Sequence, residues 1–246
     1  KIEEEAKRVL KLFKLERYEQ KRINLLSGGQ QQRVQIAREI AMDDKWKVGR
    51  VIARPYIGTK KGHFTRTSNR HDYALAPFSK TALDSLKDAG LDVIGVGKIP
   101  DIFVDQGITR KIKTVSNEDG MNKTIELASD NFNGLAFINL VDFDAVYGHR
   151  RNAAGYGKAI EEFDVQLGEL INELKNDDLL MVTADHGNDP TYRGTDHTRE
   201  QVPLIIYSKQ FNEMKVLNDS NSFGIIGSTI CDNFNVKYNG IGSSIL

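Results

Sequence analysis

Short apolar runs that stop abruptly at an acid or an imidazole constrain the fold of this chain more than any other feature. Residues 179–184 read as a buried strand and pass directly into Asp185-His186-Gly187-Asn188-Asp189. Residues 135–141 form a second such run, followed by Asp142-Phe143-Asp144 and, shortly after, His149. Further on stands Thr195-Asp196-His197-Thr198-Arg199-Glu200. Three of the five histidines therefore lie close to strand-like segments, each near a carboxylate. In an open α/β sheet, the carboxyl ends of the strands are where ligands bind.

Around these runs the pattern is regular from Pro77 onward. Ser79 is placed to cap a helix through Ala89 that Gly90 closes. A strand over 92–97, a helix over 119–128 and the strand over 135–141 follow. A long amphipathic helix spans 153–175, with Ile160, Phe163, Leu167, Leu170, Ile171 and Leu174 on one face. After the strand at 179–184 come a strand at 202–207 and a closing helix at 223–234. Strands alternating with helices predict a mainly parallel sheet covered by helices on both faces.

The acids and imidazoles fit a metal better than a core. Carboxylate oxygen with imidazole nitrogen suits a borderline divalent ion such as Mn²⁺ or Zn²⁺. Asp185 and His186 are adjacent, and Gly187 lets the backbone turn tightly at the strand end. Asp144 and His149 stand five apart, off a common α-helical face, so a loop is expected to fold both inward. Asp196 is placed to orient the His197 ring. His63 and His71, in a polar basic loop that begins at Thr59, read as surface residues.

Composition excludes several classes. The chain has 246 residues, and 34 basic side chains balance 34 acidic ones, which gives no footprint for nucleic acid or an anionic membrane. The single Cys231 excludes an intrachain disulfide framework. No apolar run reaches the roughly 18–20 residues of a spanning helix, so a cytoplasmic protein is expected. The chain opens at Lys1, without Met, inside a helical pattern over residues 2–14, and reads as part of something longer.

Two resemblances refine this reading. Leu26-Ser27-Gly28-Gly29-Gln30, followed by Gln31-Gln32-Arg33, resembles the signature motif of ABC-transporter ATPases, where Ser27, Gly28, Gly29 and Gln30 would face a nucleotide phosphate at a helix N-terminus. A Walker A loop is missing, since Gly58 to Gly62 runs into His63 and Gly95-Val96-Gly97-Lys98 has the wrong spacing. An appended helical segment over residues 1–43 is the reading this favours.

From Arg38 to the C-terminus the sequence resembles the phosphopentomutases of the alkaline phosphatase superfamily. The resemblance rests on Asp142-Phe143-Asp144, His149-Arg150-Arg151, Thr183 to Pro190, Gly194 to Glu200, Gly49 to Pro55 and Thr65-Arg66-Thr67. It implies interconversion of ribose or deoxyribose 1-phosphate and 5-phosphate at a two-Mn²⁺ site. Asp144, His149 and His197 would hold one ion as a full three-ligand site, and Asp185 and His186 would contribute to the other. Arg50, Ile52, Arg66 and Lys98 would line the sugar-phosphate site, where guanidinium and ammonium groups suit a phosphate dianion. The implied fold is an alkaline-phosphatase-like core over 77–246, incomplete, with a cap-domain remnant over 44–76. The family's threonine nucleophile matches no position here, so impaired phosphoryl transfer is expected. A catalytically silent metal-binding fragment and a nucleotide-binding module through residues 26–33 are the alternatives.

Overall fold

The computed structural model describes residues 50–53, 56–58, 63, 65–66 and 71–246. The helix expected over 2–14 and the signature-like Ser27, Gly28, Gly29 and Gln30 lie outside the described residues. The chain divides into two compact units, Lys1–Phe78 and Ser79–Leu246.

In the first unit, β1 (Arg50–Ala53) pairs antiparallel with β4 (His71–Ala74), and β2 (Tyr56–Ile57) pairs antiparallel with β3 (Thr65–Arg66). Thr65–Arg66 and His71–Tyr73 were expected in a polar, basic loop. Antiparallel ladders rest on backbone bonds and tolerate polar strands where a face meets water.

The second unit begins with α1 (Ala82–Asp88). Its cap is Thr81 rather than Ser79, because only Thr81 has an acid three residues on. The Thr81 backbone N–H donates to Asp84 Oδ2 at 2.7 Å, and the Asp84 N–H donates back to Thr81 Oγ1 at 3.4 Å. Gly90 closes the helix at φ +82°, as its position implied.

The strand β5 (Asp92–Val96) is the centre of a three-stranded parallel sheet, between β6 (Arg110–Ile112) and β7 (Gly134–Ile138). Alternation sends its side chains to two separate cores. Val93 packs with Leu83, Leu86, Ile99, Ile108 and Cys231. Ile94 and Val96 pack on the other side with Leu127. Leu83 and Leu86 come from α1, Ile99 from the short α2 (Ile99–Ile102), Cys231 from α5 (Gly224–Asn233), and Leu127 from α3 (Asn117–Ser129). Helices therefore cover both faces, and the fold is mixed α/β.

A single large sheet is not formed among the described residues. The strand β8 (Leu180–Thr183) pairs antiparallel with β9 (Leu204–Tyr207), and no described strand joins this pair to β7. No helix intervenes between β8 and β9, and without a crossover a returning chain pairs antiparallel. The long α4 (Ala153–Glu173) lies along α3. It buries Ala159 and Leu170, whereas Ile160, expected on the apolar face, is exposed. No helix among the described residues is long and apolar enough to cross a membrane.

Candidate metal centre

β7 ends at Ile138, three residues short of the expected boundary, and the chain then enters a π-helical turn over Phe143–Gly148. This turn corrects the expectation of a loop. The His149 N–H donates to the Asp144 carbonyl five residues back, at 3.0 Å. A spacing of five is off-face in an α-helix but one turn in a π-helix, so Asp144 and His149 stand together. Phe143 anchors the turn against α4, its ring 5.6 Å from Tyr156 and 6.1 Å from Phe163, centroid to centroid. Asp142 pins it to α3: the Asn117 N–H donates to Asp142 Oδ2 at 2.7 Å, and the Asp142 N–H donates to Asn117 Oδ1 at 2.9 Å.

The other residues arrive from beyond β8. Gly187 and Thr198 form an isolated antiparallel bridge, with the Thr198 N–H donating to the Gly187 carbonyl at 3.1 Å. This bridge brings His186 and His197, one residue before each partner, face to face. Gly187 is required here by space rather than by a tight turn. Its φ is not positive, and a Cβ would overlap the Glu200 carboxylate and approach the Thr198 carbonyl oxygen to 2.7 Å.

All five expected metal residues lie in one chain of short contacts. His197 Nε2 is 3.2 Å, and His149 Nε2 3.4 Å, from Asp144 Oδ1. The His186 and His197 rings stack with centroids 3.7 Å apart, and His149 stacks on His197 at 4.8 Å. His186 Nε2 is 3.6 Å from Asp185 Oδ2, whose side chain is the most exposed of the set. The tightest group is Asp144, His186 and His197, with one ligand atom of each within 4.8 Å of the others. It draws two residues, Asp144 and His197, from one of the ligand sets that the resemblance implied and His186 from the other.

The donors suit a metal ion. Ligand atoms about 2.1 Å from one ion, at angles near 90–109°, would be separated by about 3.0–3.4 Å, which the Asp144 contacts match. His149 Nδ1 is 2.6 Å from the Thr195 carbonyl oxygen. A carbonyl only accepts, so Nδ1 carries a proton and Nε2 is the ring nitrogen that faces the cluster. Among the described residues, one cluster able to hold a metal ion is thus present.

Sequence reasoning gave no role to the groups that hold this cluster in shape. Asn188, buried at 8% exposure, donates from Nδ2 to Asp144 Oδ1 at 2.6 Å. Thr198 Oγ1 accepts from the Asp189 N–H at 2.6 Å and donates to Glu200 Oε2 at 2.9 Å. The Asp196 carboxylate was expected to orient His197, but it is the Asp196 carbonyl that engages the site, accepting from Arg151 Nη2 at 2.6 Å. The residues Asn188, Thr198 and Glu200 sit in the motif strings, and that was their only signal. Burial raises the Tyr156 phenol above its ordinary value, and the Asp144 and Glu200 charges act in the same direction. The Thr191 hydroxyl, then the Thr191 N–H, hold Asp189 below the usual carboxylate range.

Of the expected sugar-phosphate residues, Lys98 follows β5 at the carboxyl end of the parallel sheet, the end at which β7 leads into Asp142. Arg50 and Ile52 fall in β1 and Arg66 in β3, all in the first unit.

A strand-end cluster of carboxylate and imidazoles on an α/β core is a candidate metal centre, and the chain belongs to the Metalloenzyme superfamily, which it matches over residues 46–238. Within that superfamily its sequence is similar to phosphopentomutases. It is 59% identical over 214 residues to that of Agathobacter rectalis and 58% identical to that of Clostridium botulinum, in each case over 86% of this chain and 54% of the relative. The chain spans about half the length of these curated relatives. A crystal structure of Leishmania mexicana phosphoglycerate mutase at low cobalt concentration shares the fold, with a TM-score of 0.54 at 18% identity over 69% of this chain and 39% of that one.

Proposed function

We propose that this chain supplies the metal-binding part of a phosphopentomutase-type site, acting in the cytoplasm on ribose or deoxyribose phosphates and not on nucleic acid. The convergence of Asp144, His186 and His197 in a sequence 59% identical to a phosphopentomutase carries the reading. In this reading residues 77–246 form the core and residues 44–76 a cap remnant. Asp144, His149 and His197 hold one Mn²⁺, and Asp185 and His186 contribute to a second. Divalent ions bound there would neutralise phosphoryl oxygens on the attacking and leaving sides.

The chain's own side chains do the rest. Asn188 and the His149–Thr195 hydrogen bond orient the ligands before an ion arrives. By the family resemblance, Arg50, Ile52, Arg66 and Lys98 are the residues proposed for the sugar phosphate, whose charge suits guanidinium and ammonium groups. Tyr156 packs beside the turn as a neutral phenol, and burial further favours that form. No residue of these 246 is assigned as nucleophile, so they are proposed to bind metal and sugar phosphate without turnover unless a nucleophile-bearing segment is added.

The test is Mn²⁺ binding by the purified chain, wild type and Asp144→Asn, alongside turnover of ribose 1-phosphate with a sugar bisphosphate primer. Binding is expected in the wild type and lost in Asp144→Asn. Equal binding by both removes the proposed centre, and brisk turnover by the wild-type chain refutes the missing-nucleophile reading.

A further inference from the structure

Arg151 follows the π-helical turn with its backbone in the left-handed region, at φ +52°. A non-glycine residue is uncommon there and calls for a reason. Its guanidinium supplies one. Nε donates to the Gly194 carbonyl at 2.5 Å, and Nη2 to the Asp196 carbonyl at 2.6 Å. Nη1 lies 2.7 Å from the Asp189 carbonyl, 2.8 Å from Asn188 Oδ1 and 3.2 Å from the Gly148 carbonyl. These acceptors belong to three segments, and each segment carries one imidazole of the cluster: His149 beside Gly148, His186 near Asn188 and Asp189, His197 beside Asp196.

The same side chain fixes the buried amide. Arginine only donates, so Asn188 must turn Oδ1 toward it, which leaves Nδ2 facing Asp144. A planar fork of N–H donors can serve three segments at once, whereas a lysine ammonium offers one point of attachment.

We propose that Arg151 is a positioning residue for the metal centre, holding the three ligand-bearing segments in register and orienting Asp144 through Asn188. The inference rests on the reading of Asp144, His149, His186 and His197 as ligands. The sign of the effect separates positioning from charge. A fixed positive charge repels a cation, so removing it would tighten Mn²⁺ binding if charge were all that mattered. Positioning demands the opposite.

The experiment titrates Mn²⁺ into the 246-residue chain, following free ion by electron paramagnetic resonance, and records the visible spectrum of the Co²⁺-loaded protein. Arg151→Ala is expected to weaken Mn²⁺ binding by about 10–100-fold, the usual effect of losing an outer-shell partner. Arg151→Lys stays weakened and shows a shifted Co²⁺ spectrum at saturation, which simple destabilisation would leave unmoved. Arg150→Ala removes the same charge from an exposed neighbour that makes no hydrogen bond to the described residues, and stays at wild-type affinity. Should Arg151→Ala fail to fold, Asn188→Ser carries the test, with the same weakening expected. Wild-type or tighter binding in Arg151→Ala, or wild-type binding in Asn188→Ser, overturns the proposal alone. A wild-type chain that binds no Mn²⁺ overturns the ligand reading and the proposal with it.

Discussion

Gly187→Ala tests whether the Gly187–Thr198 bridge is what brings two ligand-bearing loops together. A methyl group here meets two obstacles of different kinds. The Glu200 carboxylate is the end of a flexible side chain and can swing aside, at the expense of the 2.9 Å bond from Thr198 Oγ1. The Thr198 carbonyl, 2.7 Å from the new atom, is backbone, so the bridge must widen by several tenths of an ångström. That widening strains the Thr198 N–H bond to the Gly187 carbonyl, now 3.1 Å. Two hydrogen bonds at about 1 kcal/mol each give about 2 kcal/mol, or roughly 4–8 °C in Tm for a chain of this size. Because His186 and His197 flank the bridge, Mn²⁺ affinity should fall as well, by about 10-fold or more. Differential scanning calorimetry and a Mn²⁺ titration read both effects. Gly168→Ala is the control: in α4 a methyl at that position meets nothing within 4 Å, and the change should stabilise by about 0.5–1 kcal/mol. Gly187→Ala/Glu200→Ala removes only the soft obstacle and should stay impaired. If the single variant melts with the wild type and binds Mn²⁺ equally well, the bridge is not the constraint described here.

The parts of the fold that were legible in the sequence are those where one physical signal acts alone. The run Asp92–Val96 is almost continuously apolar because β5 is covered on both faces, and it was found nearly to the residue. Glycine at position 90 could be read as a stop because only its backbone freedom matters there. Legibility failed where two signals compete. Ser79 and Thr81 are both good caps, and the choice is made by Asp84, whose carboxylate returns the bond. The spacing of Asp144 and His149 argued for a loop on α-helical geometry, and only the i+5 hydrogen bonding of the π-turn reverses that argument. The candidate ligands were visible because adjacent Asp and His do not suit a core. Arg151 and Asn188 were not, since a surface-type side chain acquires a role only when distant carbonyls converge on it. The sheet shows the same limit: strand-like runs identify strands, but which strands pair depends on connections, and β9 lacked the helix that a parallel partner needs.

Leu86→Ala probes the core beneath the site-bearing layer. Leu86 is fully buried among Val93, Ile99 and Cys231, so the cavity should cost about 2–5 kcal/mol; a Tm unchanged in calorimetry, or Mn²⁺ affinity that falls in parallel, would contradict the assignment of this cluster to stability alone. Asp84→Asn tests the capping box through its pH dependence. Partial burial works to raise the Asp84 pKa from its ordinary 3.8, but the Thr81 N–H, Gln106, the Thr81 hydroxyl and Lys80 outweigh it and the net shift is downward. A carboxylate depressed in the folded state stabilises fully above its unfolded value, and that contribution disappears as pH falls through the folded one. Wild type should therefore melt above Asp84→Asn at pH 7 and at pH 5, with the gap closing as the pH is taken below the ordinary carboxylate value. The group is only partly buried, so solvent screening keeps the gap small. A gap that widened on acidification would mean that the charge at position 84 opposes the fold, and the reciprocal Thr81–Asp84 bonds could not then be what starts the helix.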